Sequence, residues 1–197
     1  MCQLIETILI NKGEIYHLNY HQLRVNRSIG ENIINLTEFI NYITIPNKGC
    51  FKLRIMYNEK EIENYTITPY FEKSLTTFRL IRDDNIKYDL KYSNRINIDK
   101  LWNLRQDCDD IIIVKNGNIT DSRFANLVLF DGQKWLTPDT PLLNGTCRQR
   151  LIDEKIITPK RITIEDLFHY SKLTTINAMI GFNPNRFIYI SEKTIKR

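Results

Sequence analysis

The sequence lacks the residues that build metal centres and disulfide frameworks. It has four cysteines and three histidines among 197 residues. Cys2, Cys50, Cys108 and Cys147 lie far apart and form no C-x-x-C pair. Such spacing predicts free thiols in a reducing compartment, with neither a zinc site nor a disulfide framework. No metal site is expected.

Long apolar runs and dense blocks of positive charge are also missing. No stretch approaches the roughly 20 apolar residues needed to span a bilayer. The start "MCQLIETILI" has no basic opening and no cleavage site, so we expect a cytosolic protein without a membrane segment. The 28 Lys and Arg exceed the 23 Asp and Glu, which gives a formal net charge of +5, but they are spread along the chain, and few aromatics lie among them. We therefore expect no nucleic-acid partner, whereas an anionic small molecule suits this charge.

The pattern of strands and turns predicts two α+β domains. Residues 1–75 show two hairpin signals with short helices between them, the second helix capped by Thr37, and they predict a small N-terminal domain. Residues 76–90 lack a strong helical periodicity and are predicted to be an interdomain connector. Residues 91–197 predict a larger, β-rich C-terminal domain, in which Asn116-Gly117 marks a type I′ hairpin.

Four features are candidates for chemistry, and each also has an ordinary explanation. Lys91 is either a solvated lysine or a nucleophile that forms a Schiff base. Asp121 either caps a turn or places its carboxylate against the ring nitrogen of a pyridoxal cofactor. The glycine before "TCRQRL" either ends a loop or exposes backbone N–H groups that bind a phosphate. Arg24 is either a surface arginine or a second phosphate ligand.

Taken in order, these residues resemble the class IV aminotransferases, the pyridoxal-phosphate enzymes of fold type IV. The matching segments run from residue 6 to about residue 182. They are Glu6-Thr7, His21 to Arg24, Lys91 to Arg95, Thr120-Asp121 with Asn126, Thr137-Pro138, and Asn144 to Arg148. The resemblance implies a two-lobed α+β enzyme of the D-amino-acid aminotransferase type. It also implies pyridoxal 5′-phosphate as cofactor, a small substrate with amino and carboxylate groups, and a homodimer.

The resemblance also implies a role for each matched residue. Lys91 corresponds to the Schiff-base lysine that later moves protons, and it is the expected catalytic residue. Asp121 stands where the family has a glutamate facing the pyridine nitrogen, and Asn126 stands at a structural asparagine beside the site. The phosphate would be bound by Arg24 and by the loop Gly145, Thr146 and Cys147. Asn177, with Ala178, matches a segment near the cofactor.

Two segments resemble aminodeoxychorismate lyase, namely "KYSNR" and "TTINAMIGF". The implied reaction converts 4-amino-4-deoxychorismate to 4-aminobenzoate and pyruvate in the folate pathway. A class IV aminotransferase acting on branched-chain or D-amino acids is an alternative.

A relative that has lost catalysis is the second alternative, motivated by the aspartate at position 121 and by the short N-terminus, whereas the retained Lys91, Arg24 and glycine loop argue against it. The sequence departs from the family pattern at three points. Asp121 is one methylene shorter than glutamate. The phosphate loop reads Gly-Thr-Cys-Arg where Gly-Ile-Thr-Arg is usual. The roughly two strands that precede the Glu-Thr segment in typical members are missing, so part of the substrate pocket is expected to be altered or open.

Overall fold

The computed structural model describes residues 2–197, which divide into two compact units. Unit 1 comprises the chain up to Glu72 with Leu90–Asn94 and Ala178–Ile180, and unit 2 comprises Lys73–Asp89, Arg95–Asn177 and Gly181–Arg197. In unit 1 the elements are β1 (Leu4–Asn11), β2 (Glu14–Ile15), α1 (Leu18–Ile29), α2 (Leu36–Asn41), β3 (Cys50–Tyr57) and β4 (Ile62–Pro69). In unit 2 they are β5 (Phe78–Arg82), α3 (Ile96–Trp102), a 3₁₀ turn (Asn103–Arg105), β6 (Asp110–Lys115), β7 (Asn118–Ile119), β8 (Asn126–Phe130), β9 (Trp135–Pro138), α4 (Thr146–Asp153), β10 (Thr158–Lys160), α5 (Ile164–Leu167), β11 (Lys172–Ile176), β12 (Ile188–Tyr189) and β13 (Ile195–Lys196).

Unit 1 is an antiparallel sheet in the order β2-β1-β3-β4, with α1 and α2 contributing to its core. The two hairpins predicted from sequence are present. Strand β1 buries Leu4, Glu6, Ile8 and Ile10, the residues that alternation places on one face. Three of the four are aliphatic and pack in the core, so the acid at the second position requires polar partners.

The cap of α2 differs from the prediction. The helix begins at Leu36, and the side chain of Asn35 accepts a hydrogen bond from the Glu38 N–H at 3.1 Å. Thr37 lies inside the first turn and is not the cap. Both residue types cap helices, and asparagine is among the strongest N-caps, so the earlier residue serves here.

Unit 2 contains two sheets, in the orders β13-β5-β6-β7 and β10-β9-β8-β11-β12. Strand β6 is buried along Asp110–Val114, and the following Asn116 and Gly117 have φ values of 50° and 75°. Two successive positive φ values fit the predicted type I′ turn. The predicted connector 76–90 contains β5, which pairs in parallel with β6 and β13. The predicted domain bounds themselves stay a prediction.

Three connections position the candidate residues. Residues 120–125 link β7 to β8, and residues 139–145 link β9 to α4. In unit 1, Leu90–Asn94 lies beside β1, where Leu4 and Tyr92 form an isolated antiparallel bridge. Within residues 2–197, no helix is long and apolar enough to cross a membrane.

Candidate active site

Lys91 is fixed through its backbone to strand β1. The Ile5 N–H donates to the Lys91 carbonyl at 2.9 Å, and the Ser93 N–H donates to the Gln3 carbonyl at 2.9 Å. The neighbouring Leu90 and Tyr92 pack against the core of unit 1. A short segment pinned by a strand on one side and by core contacts on the other holds its lysine at a defined place.

One residue along β1 lies Glu6, which is fully buried and holds a guanidinium. Its Oε1 accepts from Arg24 Nε at 2.8 Å, and its Oε2 accepts from Arg24 Nη2 at 2.6 Å. His21 Nδ1 lies 2.5 Å from the same Oε2. His21 and Arg24 are three residues apart on α1, so both reach the sheet from one helix face. The Arg24 guanidinium and the Glu6 carboxylate form a bidentate pair, the geometry that fixes the orientation of a guanidinium best.

The charges of this network follow from its burial and its partners. Burial raises the pKa of Glu6, but the charge of Arg24 and the hydrogen bond from His21 outweigh it and lower that pKa to about 2. Burial lowers the pKa of His21, and Glu6 opposes this only in part. Arg24 and Lys91 also lower the pKa of His21, so the lysine lies within electrostatic reach of the histidine. At neutral pH, Glu6 is therefore an anion and His21 is neutral.

Asp121 is the corresponding buried acid of unit 2. It lies two residues after β7, with 6% of its surface exposed. Its Oδ1 accepts from Asn126 Nδ2 at 2.7 Å, and its Oδ2 accepts from the Leu143 N–H at 2.9 Å. Burial raises the pKa of Asp121 to about 6, although both hydrogen bonds oppose the rise. The acid therefore changes charge close to neutral pH.

Asn126 connects this acid to the start of α4. Its Nδ2 also donates to the Leu143 carbonyl at 2.9 Å. A Cβ added at Gly145 would lie 2.2 Å from Asn126 Oδ1. The backbone of Gly145 has φ −66° and ψ 146°, which any residue adopts, so glycine is required there by space alone. The asparagine amide thus occupies the volume that a side chain would fill.

The first turn of α4 presents backbone donors. Gly145 is its N-cap and has no side chain with which to cap them. N–H groups at such a helix start, together with the helix dipole, favour an anion. Thr146 and Cys147 are the first helical residues, and both are buried. The Cys147 thiol packs with Val128 and Leu151 in an apolar cluster, so Cys147 can contribute its backbone N–H rather than its sulfur.

Two further side chains brace the loops of this site in unit 2. Arg148 is buried and donates from Nη2 to the Pro138 carbonyl at 2.8 Å and from Nη1 to Asn144 Oδ1 at 2.9 Å. Asn177, directly after β11, donates to the Phe124 carbonyl at 3.3 Å. It therefore ties the end of β11 to the loop that carries Asp121.

A cleft of about 630 Å³ opens in unit 2 beside the segments that flank Asp121 and Leu143. Thr120 and Leu142 line it, and Lys87 and Lys115 add positive charge. Its size is that of a small-molecule site.

Comparison with known proteins decides the family. The family model for class IV amino-transferases matches residues 3–186. The chain belongs to the class IV aminotransferase family. The predicted family and its α+β fold are confirmed, and the chain is an enzyme of this class.

Relatives of this class IV chain include proteins of known structure. An uncharacterized protein of Haemophilus influenzae is 40% identical, over 92% of this chain and 100% of that protein. A protein from Haemophilus somnus, provisionally assigned as a 4-amino-4-deoxychorismate lyase, superposes with a TM-score of 0.86 at 34% identity, over 92% of this chain and 98% of that one. A hypothetical aminotransferase from Mycobacterium tuberculosis, in a PLP-bound form, superposes with a TM-score of 0.78 at 15% identity, over 99% of this chain and 81% of that one.

The structure groups the predicted site residues of this class IV enzyme by unit. In unit 1, Arg24 is hydrogen-bonded to Glu6, and the Lys91 carbonyl accepts from the N–H of Ile5, the residue before Glu6. In unit 2, Asp121 and Asn126 are hydrogen-bonded, and Gly145 is in contact with Asn126. Among residues 2–197, no group of three or more His, Cys, Asp or Glu side chains is arranged to hold a metal ion.

Reasoning from sequence missed what Glu6 and His21 do, although both belong to the matched segments. The signal was available in β1, where an acid takes a core-facing position between Leu4 and Ile8. A buried carboxylate in such a strand predicts a cationic partner elsewhere in the chain.

Proposed function

We propose that the chain binds pyridoxal 5′-phosphate and uses it to convert 4-amino-4-deoxychorismate to 4-aminobenzoate and pyruvate. The similarity to the Haemophilus somnus protein, at 34% identity over nearly the full length of both chains, carries this choice of reaction. The residues of each unit support the cofactor, because they offer a lysine, a buried acid and two kinds of anion ligand.

The fit of the cofactor is judged on the donors that the chain supplies. In unit 1, Lys91 would hold the cofactor covalently through Nζ, and the Arg24 guanidinium would bind the phosphate. In unit 2, the uncapped N–H groups after Gly145 would bind the phosphate, and Asp121 would accept a hydrogen bond from the ring nitrogen. Asn126 and Asn177 would hold the surrounding loops. The PLP-bound Mycobacterium tuberculosis relative supports the same cofactor, since it shares the fold.

When bound, the cofactor supplies an electron sink for a substrate carbanion. The chain's own residues then handle charge and protons. Lys91 Nζ would act as the base that removes the proton from the ring of the substrate. Asp121, which is ionised above pH 6, would keep the pyridine nitrogen of the cofactor protonated. Proton transfer by a positioned base is worth roughly 10²–10⁴ in rate.

The proposed reaction is a balanced cleavage. The bond between the ring carbon and the ether oxygen breaks, so the enolpyruvyl group leaves as pyruvate. The ring loses one proton and becomes aromatic, so neither an amino acceptor nor a net water is consumed. An aminotransferase is the second candidate, because the family model carries that description. It would instead consume one 2-oxo acid for each amino acid converted. The two functions therefore differ in a co-substrate that can be withheld.

The first test is the visible absorbance of the purified chain with pyridoxal phosphate. We expect a Lys91-dependent band that borohydride fixes to the protein. Lys91→Ala and Lys91→Arg should both lack it, and the arginine variant is the matched control because it keeps the positive charge. Absence of the band in the wild type would overturn both candidate reactions, because each needs Lys91 and the cofactor.

The second step measures pyruvate from 4-amino-4-deoxychorismate without any 2-oxo acid. Pyruvate release equal to 4-aminobenzoate release supports the lyase. Activity only with an amino donor and a 2-oxo acid would replace it with the aminotransferase. The homodimer, the folate pathway and the cytosolic location stay predictions from resemblance and sequence.

A further inference from the structure

We infer that Glu6, held by His21, is a positioning residue that fixes the Arg24 guanidinium for the cofactor phosphate. Through Arg24 it makes the chain prefer the phosphorylated cofactor over unphosphorylated pyridoxal. This inference rests on the proposed function, because it concerns the same cofactor.

The position of Glu6 in the strand is the first argument. Leu4, Ile8 and Ile10 share its face of β1 and are in the core, and Glu6 itself is fully buried. An ionised carboxylate at such a place is costly unless it is paired and fully hydrogen-bonded. A core-facing strand position is otherwise filled by an aliphatic residue. We therefore attribute to Glu6 a role that an aliphatic residue at this position could not fill.

The shape of the pair is the second argument. Arg24 donates from Nε and Nη2, which form one edge of its planar guanidinium, to the two carboxylate oxygens of Glu6. Both bonds together fix the plane and direction of the guanidinium, which a single bond would not do. A side chain that is already ordered pays less conformational entropy when it binds a ligand. Glu6 thus prepares Arg24 before the phosphate arrives.

His21 completes the arrangement. Because the ionised Glu6 can only accept, we assign the proton of the neutral ring to Nδ1, which donates to the oxygen that also accepts from Arg24 Nη2. His21 is 1% exposed, and its Nε2 has no hydrogen-bond partner in the part of the chain that the structure describes. The ring therefore serves Glu6 through Nδ1. Loss of this donor leaves one carboxylate oxygen less well satisfied and the acid less firmly held.

Two opposite effects of Glu6 on phosphate binding can be separated by sign. Its negative charge opposes a nearby phosphate, so its removal would tighten binding if charge decided. Its two hydrogen bonds order Arg24, so its removal would weaken binding if position decided. We expect position to decide, because a glutamine at this site turns an NH₂ group toward one of the donors of Arg24 or His21 and leaves buried donors unpaired.

The experiment compares the dissociation constants of pyridoxal phosphate and pyridoxal, both read from the Lys91-dependent absorbance band. The dissociation constant of pyridoxal divided by that of pyridoxal phosphate measures the contribution of the phosphate. For Glu6→Gln, we expect this ratio to fall about 10-fold or more, the scale of a lost charge-assisted hydrogen bond. The affinity for pyridoxal should change much less, because Lys91 is intact. Arg24→Gln should lower the ratio at least as far.

Two variants of His21 provide a matched comparison that tests the inference even if Glu6→Gln does not fold. Asparagine places an amide N–H close to the position of Nδ1, whereas leucine has no donor. We expect His21→Leu to lower the ratio and His21→Asn to restore most of it. A ratio that is unchanged or raised in Glu6→Gln, or equal in the two His21 variants, overturns the inference and leaves the proposed function standing. A wild type without any Lys91-dependent band removes both.

Discussion

At the scale of single residues, we expect the charge of Asp121 to decide how cofactor binding at the proposed site responds to pH. Burial raises the pKa of this acid from 3.8 to about 6, so it is neutral in mild acid and ionised above pH 6. Only the ionised form pairs with a protonated ring nitrogen. We expect the affinity for pyridoxal phosphate to rise with pH up to about 7, and to be about 10-fold weaker one unit below the pKa.

The measurement is the dissociation constant from pH 5 to pH 8 in the wild type and in Asp121→Asn. The asparagine variant cannot ionise, so it should lose this part of the pH dependence while keeping any part that comes from the cofactor itself. Equal slopes in the two proteins would show that Asp121 does not set the charge of the ring.

Single residues also show where sequence suffices and where it does not. The order of Lys91, Asp121, Asn126 and Gly145 along the chain predicted the family, which is confirmed. The partners of these residues were not predictable, because they depend on atoms brought together by folding. The Leu143 N–H that donates to Asp121 is an example, since backbone donors carry no sequence signal.

At the scale of elements, the contact between Gly145 and Asn126 joins the start of α4 to the start of β8. A methyl group at position 145 would lie 2.2 Å from the asparagine oxygen, and backbone strain plays no part. We expect Gly145→Ala to displace Asn126 from Asp121 and to destabilise the protein by about 1–3 kcal/mol. Urea unfolding measures this cost.

The double variant provides the control. Asn126→Ala removes the atom that a methyl group would strike, so Gly145→Ala should cost little in that background. The two costs should therefore be strongly non-additive, as expected for residues in direct contact. Additive costs would show that glycine is needed at position 145 for another reason.

Elements with local signals were predicted well, and elements held by distant partners were not. The hairpin at Asn116-Gly117 follows from two residues that accept positive φ values. Strand β5 escaped prediction because "FRLIR" is short and carries two arginines, and its pairing with β6 and β13 joins segments far apart in sequence. Strand β13 itself, only two residues long, was missed for the same reason.

At the scale of the whole molecule, three buried acids shape the pH dependence of stability. Asp110 and Asp121 each have a pKa that burial raises to about 6, above the value of 3.8 for an exposed aspartate. Their contribution to stability is complete below pH 3.8 and is lost as pH rises through 6. Glu6 behaves oppositely, because its pKa is lowered from 4.5 to about 2. Its contribution is present above pH 4.5 and is lost as pH falls through 2.

These signs predict that the three acids together stabilise the chain without cofactor most near pH 4, and that their contribution falls between pH 4 and pH 8. His21 opposes this fall, because its pKa is lowered from 6.5 and its contribution is lost as pH falls below that value. Each aspartate accounts for at most about 3 kcal/mol of the fall, since one pKa unit corresponds to about 1.4 kcal/mol. Urea midpoints at pH 3, 5 and 8 measure it. Asp110→Asn keeps an oxygen for the Ile111 N–H, which donates to Asp110 Oδ1 at 2.9 Å, and should lessen the fall between pH 5 and 8 by about 1.4 kcal/mol, the equivalent of the one pKa unit between pH 5 and the pKa of Asp110. The same change in midpoint from pH 5 to pH 8 in the wild type and in Asp110→Asn would mean that Asp110 gains compensating partners when it ionises.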